Sequence, residues 1–418
     1  MTAGPSLISC FLYLVSRISS FVSLPSYLRP PLPKSSSQTL LILGVILISI
    51  NLRTSIASVG PLIPFIREDL GISNGAAGFL TTLSLITFAL FSLFAPSIGK
   101  KLGLGKAIFI GILLLAIGVV IRVQGGIALL YVGTALTGIG IVTANVLMIP
   151  FFKAKIPEKI GLMTALLSTG MSLFAAIASG ISVPLAEGLG WGWRGALLSW
   201  VGLMALALIA WIPQLSPNKS KSSVEVLAGK NVWKSRLAWQ VTGFMGAQSV
   251  MYFTLITWLP DLLIARGMTP VNAGMALFYM QLISLIGTFF APNLLMRLRQ
   301  QSGVVLAVGI GYLIGYGALF IHHEILTFAA LTVIGIGSGA SLSIAYTLIS
   351  MRTAEALTTS RLSGMVQSAG YVLAALGPLV FGICLDVFDN WNLLIWFLLA
   401  MTLQFLILGI PAGRDQKI

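Results

Sequence analysis

Hydrophobic residues gather in long unbroken runs separated by short polar intervals. The runs cover 39–65, 75–97, 106–123, 126–150, 161–184 and 194–213, then 238–260, 271–293, 303–321, 325–350, 362–385 and 391–411. Each is long enough to cross about 30 Å of hydrocarbon as a helix. Strands of a membrane barrel would alternate apolar and polar positions over about ten residues, and these runs do not alternate. The pattern predicts an all-α integral membrane protein with twelve transmembrane helices, spans 1 to 12. Six precede and six follow the interval QLSPNKSKSSVEVLAGKNVWKSR. The expected organisation is an N-terminal six-helix bundle over 39–213, a cytoplasmic linker over 214–237, a C-terminal six-helix bundle over 238–411 and a cytoplasmic C-terminus over 412–418. Residues 1–38 are expected to form a poorly ordered cytoplasmic tail. Arg17 and several serines interrupt its apolar stretch, and LRPPLPKSSSQ reads as an extended linker. No A-x-A-like cleavage site marks it as a signal peptide.

The two halves repeat. A shift of 196 residues brings Pro64 onto Pro260, Gly71 onto Gly267 and Gly78 onto Gly274, and it carries Phe94-Ala95-Pro96 onto Phe290-Ala291-Pro292. A collinear, ungapped set of matches points to duplicated, pseudo-symmetric six-helix halves. In such folds the substrate site lies near the midplane between the halves. The same shift places Arg53 on Ser249, beside Gln248.

Composition narrows the class. The chain is 57% hydrophobic and 9% charged, against about 25% charged in soluble domains, and its mean hydropathy is +0.99. The net charge of +14 sits in short loops rather than on one basic face, so no nucleic-acid partner is expected. Twenty lysines and arginines fall on the side of the termini and the middle interval; Arg67, Arg122, Arg194 and Arg266 fall opposite. The positive-inside rule then makes both termini cytoplasmic. Cys10 and Cys384 lack any metal-ligand spacing. No cofactor is expected, and without strand context the glycine-rich stretches carry no dinucleotide fingerprint.

Arg53 is the one basic residue left inside an apolar run. It lies roughly 20 Å along the helix from either surface at about 1.5 Å per residue, too far to snorkel out. All eleven acidic residues are expected outside the apolar cores, Asp261 and Asp386 among those at the outer ends. Arg53 therefore faces a watery cavity, carbonyl groups or an anionic ligand. Its planar fork of donors suits two oxygens; a brace between helices and a gating role are the competing readings. The remaining candidates for substrate contact are Asn51 in span 1, Asn145 in span 4, Gln248 and Tyr252 in span 7, Gln281 in span 8, and Gln367 and Tyr371 in span 11. Gln248 with Tyr252 and Gln367 with Tyr371 are i, i+4 pairs that share a helix face. Any of these could instead simply join helices. Ser168, Thr169, Ser172 and the small residues of GIGSGASLSIAY read as packing. Pro61 and Pro64 are expected to bend or end span 1, Pro96 to end span 2, and GKKLGLGK at 99–106 to form a turn. His322 and His323 read as a solvated pair.

NLRTSIASVGPLIPFIREDLGIS in span 1 resembles a signature of the cyanate and 2-nitroimidazole transporter family of the major facilitator superfamily. GAQSVMYFTLITWLPDLLIARGMTP and LSGMVQSAGYVLAALGPLVFGICLDVFDNW resemble its seventh and eleventh spans. The likeness covers about 39–411. It implies a monomeric transporter of a small solute in a bacterial inner membrane, working by alternating access. The expected cargo is an anion or a nitro- or carboxylate-bearing compound, with efflux or exchange as the direction. By the same resemblance Asn51, Arg53, Gln248, Ser249, Gln367 and Ser368 match family motifs. One departure stands out: Lys100-Lys101-Leu102-Gly103 puts lysine where the superfamily carries an acid. The alternatives are a broad-range hydrophobic drug efflux carrier, which would need an acidic cavity, and a membrane receptor or sensor, which would need a soluble signalling domain. An enzyme is not expected.

Overall fold

The computed structural model describes residues 35–156, 159–215, 232–353 and 356–418. Residues 1–34 of the tail expected over 1–38 and most of the linker lie outside the described residues; residues 35–38 of that tail instead form the start of the first helix. Within them the chain is helical throughout. Spans 2 to 5 are Asn74–Phe91, Leu104–Val123, Ile127–Lys155 and Ile160–Val183. Span 6 is built from Gly192–Leu198 and Trp200–Trp211. The second half runs Arg236–Ala265, Pro270–Arg297, Ser302–Ala318, Glu324–Met351, Ala356–Phe388 and Asn392–Ala412 for spans 7 to 12. Eleven helices among the described residues are long and apolar enough to cross a membrane; span 9, with 17 residues, is the short one.

Local chemistry sets the ends. Ser73, Ser235 and Thr269 cap spans 2, 7 and 8 by accepting from the amides of Ala76, Ala238 and Asn272. Gly71 and Gly267, matched in the repeat, follow spans 1 and 7 with φ of +60° and +91°, a conformation that costs other residues a Cβ clash. The turn expected at 99–106 is a correction. Pro96 starts a short helix, Ala95–Leu102, and Gly103 at φ +85° alone separates it from span 3.

Span 1 is broken. Its first helix, Ser35–Ala57, gives way to a 3-10 turn at Gly60–Leu62 and a second helix, Ile63–Leu70. Pro61 has no N–H to offer the Ala57 carbonyl, and the Val59 amide turns to Ile56 O at 3.1 Å. The Ser55 and Ala57 carbonyls are thereby released from the ladder. Arg122 Nη1 donates to Ser55 O at 2.9 Å and Ser179 Oγ to Ala57 O at 3.3 Å. Unsatisfied buried carbonyls are costly, so spans 3 and 5 complete what the sequence of span 1 breaks.

The halves meet mainly through span 2 on span 11 and span 5 on span 8. A Cβ on Gly78 would lie 2.4 Å from Pro378 O, and one on Gly274 would lie 3.2 Å from Ser179 O. These repeat-matched glycines therefore sit at the two equivalent crossings.

Candidate substrate cavity

One end of the bundle, away from the termini, is closed by contacts between the halves. Asp386 of span 11 accepts from the amides of Asn74 and Gly75, at 2.8 and 2.7 Å, at the start of span 2. A carboxylate there complements the positive end of the helix dipole. Arg67 pairs with Asp261 at 3.6 Å. Thr81 and Thr257 share a hydrogen bond of 2.9 Å, and Thr82 Oγ1 donates to Ala375 O at 2.5 Å. Gly60 lies against Ile256 O, where a Cβ would stand only 2.0 Å away; Pro260, lacking an N–H, has freed that carbonyl. Asp261 stands just past the apolar run of span 7, as expected, yet the packing encloses it. It is 5% exposed and within the helix of span 7, because that helix runs five residues past the apolar run that marked it.

Arg53 lies on span 1 on the termini side of this seal. Arg53 is half-buried, and it has no hydrogen bond or ion pair with any described residue. Its charge reaches the phenols of Tyr252 in span 7 and Tyr346 in span 10, and Tyr371 of span 11 acts on both. Tyr346 is 43% exposed. Phe88 and Phe253 meet Tyr371 edge-on at ring-centroid distances of 5.9 and 6.5 Å. With that end sealed, any opening between the halves lies at the end bearing the termini. At that end of span 11 a Cβ on Gly364 would meet nothing within 4 Å, whereas one on Gly382 would strike Asn74 O at 2.6 Å.

Residues 41–356 match the Major Facilitator Superfamily. The chain belongs to that superfamily. It is 44% identical over 380 residues to the transporter YycB of Bacillus subtilis, covering 90% of this chain and 94% of that one. It is 34% identical to the 2-nitroimidazole transporter of Escherichia coli (91% and 97% covered) and 26% identical to the Escherichia coli cyanate transport protein CynX (84% and 91%). Among solved structures, an inward-facing, occupied bacterial homologue of the human lysosomal transporter Spinster superposes with a TM-score of 0.75 at 15% identity (91% and 97% covered). This is a facilitator and not an enzyme.

The candidate residues separate into two groups in this facilitator. Arg53, Asn145, Tyr252, Gln367 and Tyr371 are half-buried, and Gln367 Nε2 donates only locally, to Ser363 Oγ at 2.9 Å. The others are buried and hydrogen-bonded within the protein. Asn51 is fully buried and donates to Leu47 O and, across to span 6, to Leu203 O at 3.1 Å. Gln248 is 3% exposed and bonds its own neighbours, Ser249 Oγ at 2.6 Å and Met245 Sδ at 3.3 Å. Gln281 donates to Ser179 Oγ at 2.6 Å and lies 3.5 Å from the Tyr252 hydroxyl. It thus ties the second half to the carbonyl that the break in span 1 exposes.

Two polar residues near this centre escaped the sequence reading. Tyr346 sits among the small residues of GASLSIAY, which read as packing. Arg122 falls at the end of a run and counts there as a loop charge, yet it is 1% exposed. Its Nε and Nη2 have no partner, and it lines a cavity of about 10 Å³ with Ser55, Thr81, Ser84 and Thr134. Each arginine of the sealed end has a protein partner: Arg67 has Asp261, Arg122 has Ser55 O, Arg194 has Asp69 at 2.7 Å, and Arg266 has Leu319 O and Asn392.

Proposed function

We propose that this facilitator carries a small electron-rich solute by alternating access. The cargo is an anion or a nitro- or carboxylate-bearing compound, cyanate-like or nitroimidazole-like, and Arg53 is its anchor. The observation that carries the reading is the unpartnered guanidinium at the cavity between the halves. A planar fork of N–H donors matches a pair of oxygens on one group. Around it stand phenol hydroxyls and ring edges, which carry positive potential. The names of two relatives, a 2-nitroimidazole transporter and a cyanate transport protein, support the same class of cargo. A carrier of hydrophobic cations would need the opposite sign at this position.

In this reading Arg53, Asn145, Tyr252, Gln367, Tyr371 and Tyr346 touch the solute. Asn51 and Gln281 hold the helices that present them, and Gln248 stays bonded within its own helix. The protein sits as a monomer in a bacterial inner membrane with both termini cytoplasmic, as the distribution of lysine and arginine requires. The sealed end is then the outer one, and the cavity opens to the cytoplasm. Efflux of an anion needs no coupled proton, because an inside-negative potential supplies about 2.3 kcal/mol per charge per 100 mV.

The test is flux in proteoliposomes of small anions, nitro compounds and carboxylates, with and without an imposed pH gradient. Arg53→Ala, shown to be folded by its melting curve, should lose the flux. Wild-type flux in that variant would make Arg53 a brace, and strict dependence on the gradient would end the uncoupled picture.

A further inference from the structure

At the end of the bundle that bears the termini, a cavity of about 370 Å³ opens between the start of span 7 and the end of span 12. It is lined by Arg236, Leu237, Gln240, Pro411, Arg414 and Gln416. Both arginines are exposed, and neither has a hydrogen-bond or carboxylate partner among the described residues. The nearby carboxylate, Asp415, instead exerts its charge on Arg352. Two guanidiniums and two carboxamides thus converge on one concavity, with no carboxylate bonded to either guanidinium among the described residues.

The concavity is held in shape. Gln301 N–H donates to Gly413 O at 2.8 Å, Arg352 Nε to Ala412 O at 2.8 Å, and the amide of Ile418 to Arg352 O at 2.8 Å. The segment carrying Arg414 and Gln416 is therefore pinned before and after them. Beside Arg236 stand Trp233 and Trp239, 54% and 48% exposed. The Trp239 indole donates to Trp233 O at 2.9 Å, and the rings meet at 5.9 Å. Exposed tryptophans at helix ends mark the headgroup level of a bilayer. Along span 12, Leu403 (54% exposed) and Ile407 (70% exposed) lie at i, i+4 spacing ahead of Pro411, on one helix face. That apolar track leads from the hydrocarbon into the basic cavity.

We propose that this cavity binds the phosphodiester headgroup of an anionic membrane lipid, with an acyl chain along Leu403 and Ile407. The guanidiniums take the non-bridging oxygens, and the glutamine amides supply further N–H donors. Free phosphate shares the headgroup chemistry, but it has no use for the apolar track or the tryptophans.

Purified full-length protein is melted in detergent with added phosphatidylglycerol, phosphatidylcholine or inorganic phosphate. Phosphatidylglycerol alone should raise Tm. Arg236→Gln/Arg414→Gln should weaken its apparent binding by about tenfold or more, at roughly 1 kcal/mol per basic residue near a headgroup. Arg236→Lys/Arg414→Lys should keep part of it, and Lys100→Gln/Lys101→Gln, elsewhere on the same end, should keep all of it. An equal rise with phosphatidylcholine or with inorganic phosphate overturns the proposal, and so does an equal loss in the Lys100/Lys101 variant. Should the double glutamine variant not fold, native mass spectrometry of the wild type in an equimolar lipid mixture decides. Retention of phosphatidylglycerol over phosphatidylcholine supports the site, and equal retention removes it.

Discussion

Spans 1 and 7 correspond under the 196-residue shift and yet are different devices. A shift of 196 residues carries Gly60-Pro61 onto Ile256-Thr257 and Arg53 onto Ser249. Span 1, with prolines at 61 and 64, breaks after Ala57 and leaves its carbonyls to Arg122 and Ser179. Span 7 has only Pro260 and stays a single helix of 30 residues. The two repeat-equivalent residues Gly60 and Ile256 touch each other at the sealed end. A glycine on one side and a carbonyl freed by proline on the other allow that approach. At the depth of Arg53, span 7 offers Ser249, 2% exposed, and Gln248, 3% exposed. The repeat thus keeps a symmetric frame and confines the charge to one side of it, which gives the cavity a polarity that a symmetric pair could not.

The largest expected effect comes from erasing that asymmetry. Arg53→Ala should lower flux of an anionic or nitro-bearing solute by about 10- to 100-fold, the worth of a hydrogen bond to a charged group at about 1.5–3 kcal/mol. Arg53→Lys should fall between, keeping the charge but not the two-point geometry. Moving the arginine, as Arg53→Ser/Ser249→Arg, should not restore flux. Position 249 is buried, and a charge there would lower stability in the same melting experiment.

Next is the contact between the repeat-equivalent residues. Gly60→Ala places a Cβ only 2.0 Å from the Ile256 carbonyl oxygen. Overpacking of this kind costs about 1–3 kcal/mol, and here the sealed arrangement alone bears the cost. In a Cys10→Ser/Cys384→Ser background, Thr257→Cys should label faster with a membrane-impermeant maleimide when Gly60→Ala is added. An unchanged rate would mean that the seal rests on the Asp386 and Arg67 contacts instead.

What could be read from the sequence follows from these same residues. Gly71 and Gly267 were legible because a positive φ leaves few choices of residue, and a duplicated need shows as a duplicated letter. Arg53 was legible because a charge in an oily run has no cheap explanation. The burial of Arg122 and Asp261 was not, since residues near the end of a run look like loop charges until packing decides how far the helix continues. Tyr346 was hidden by its small neighbours, which do pack. Which end is closed is a property of contacts far apart in the chain, and no local pattern carries it.

Asn51 tests the frame of span 1 without touching its charge. Its amide bonds Leu47 O at 2.7 Å and Leu203 O at 3.1 Å, while Oδ1 has no partner. Asn51→Ala should cost about 1–2 kcal/mol of stability through the loss of its buried hydrogen bonds, one of them to span 6, read as a lower Tm. Solute affinity in the folded fraction should stay unchanged. A loss of affinity at unchanged Tm would return Asn51 to the binding residues.

The smallest effect is expected at Gln248, the polar neighbour of the position equivalent to Arg53. Its Nε2 donates to a hydroxyl one residue away and to a thioether three residues away, so no bond to another span depends on it. Gln248→Ala removes two local contacts, one of them to a weak sulfur acceptor, and frees Ser249 to bond elsewhere. The change should cost no more than about 1 kcal/mol and leave flux within about twofold of wild type. If Gln248→Ala instead cuts flux as deeply as Arg53→Ala with Tm unmoved, the amide turns into the cavity during transport. Recognition would then be shared between the halves, and the asymmetry drawn between spans 1 and 7 would belong to this one conformation.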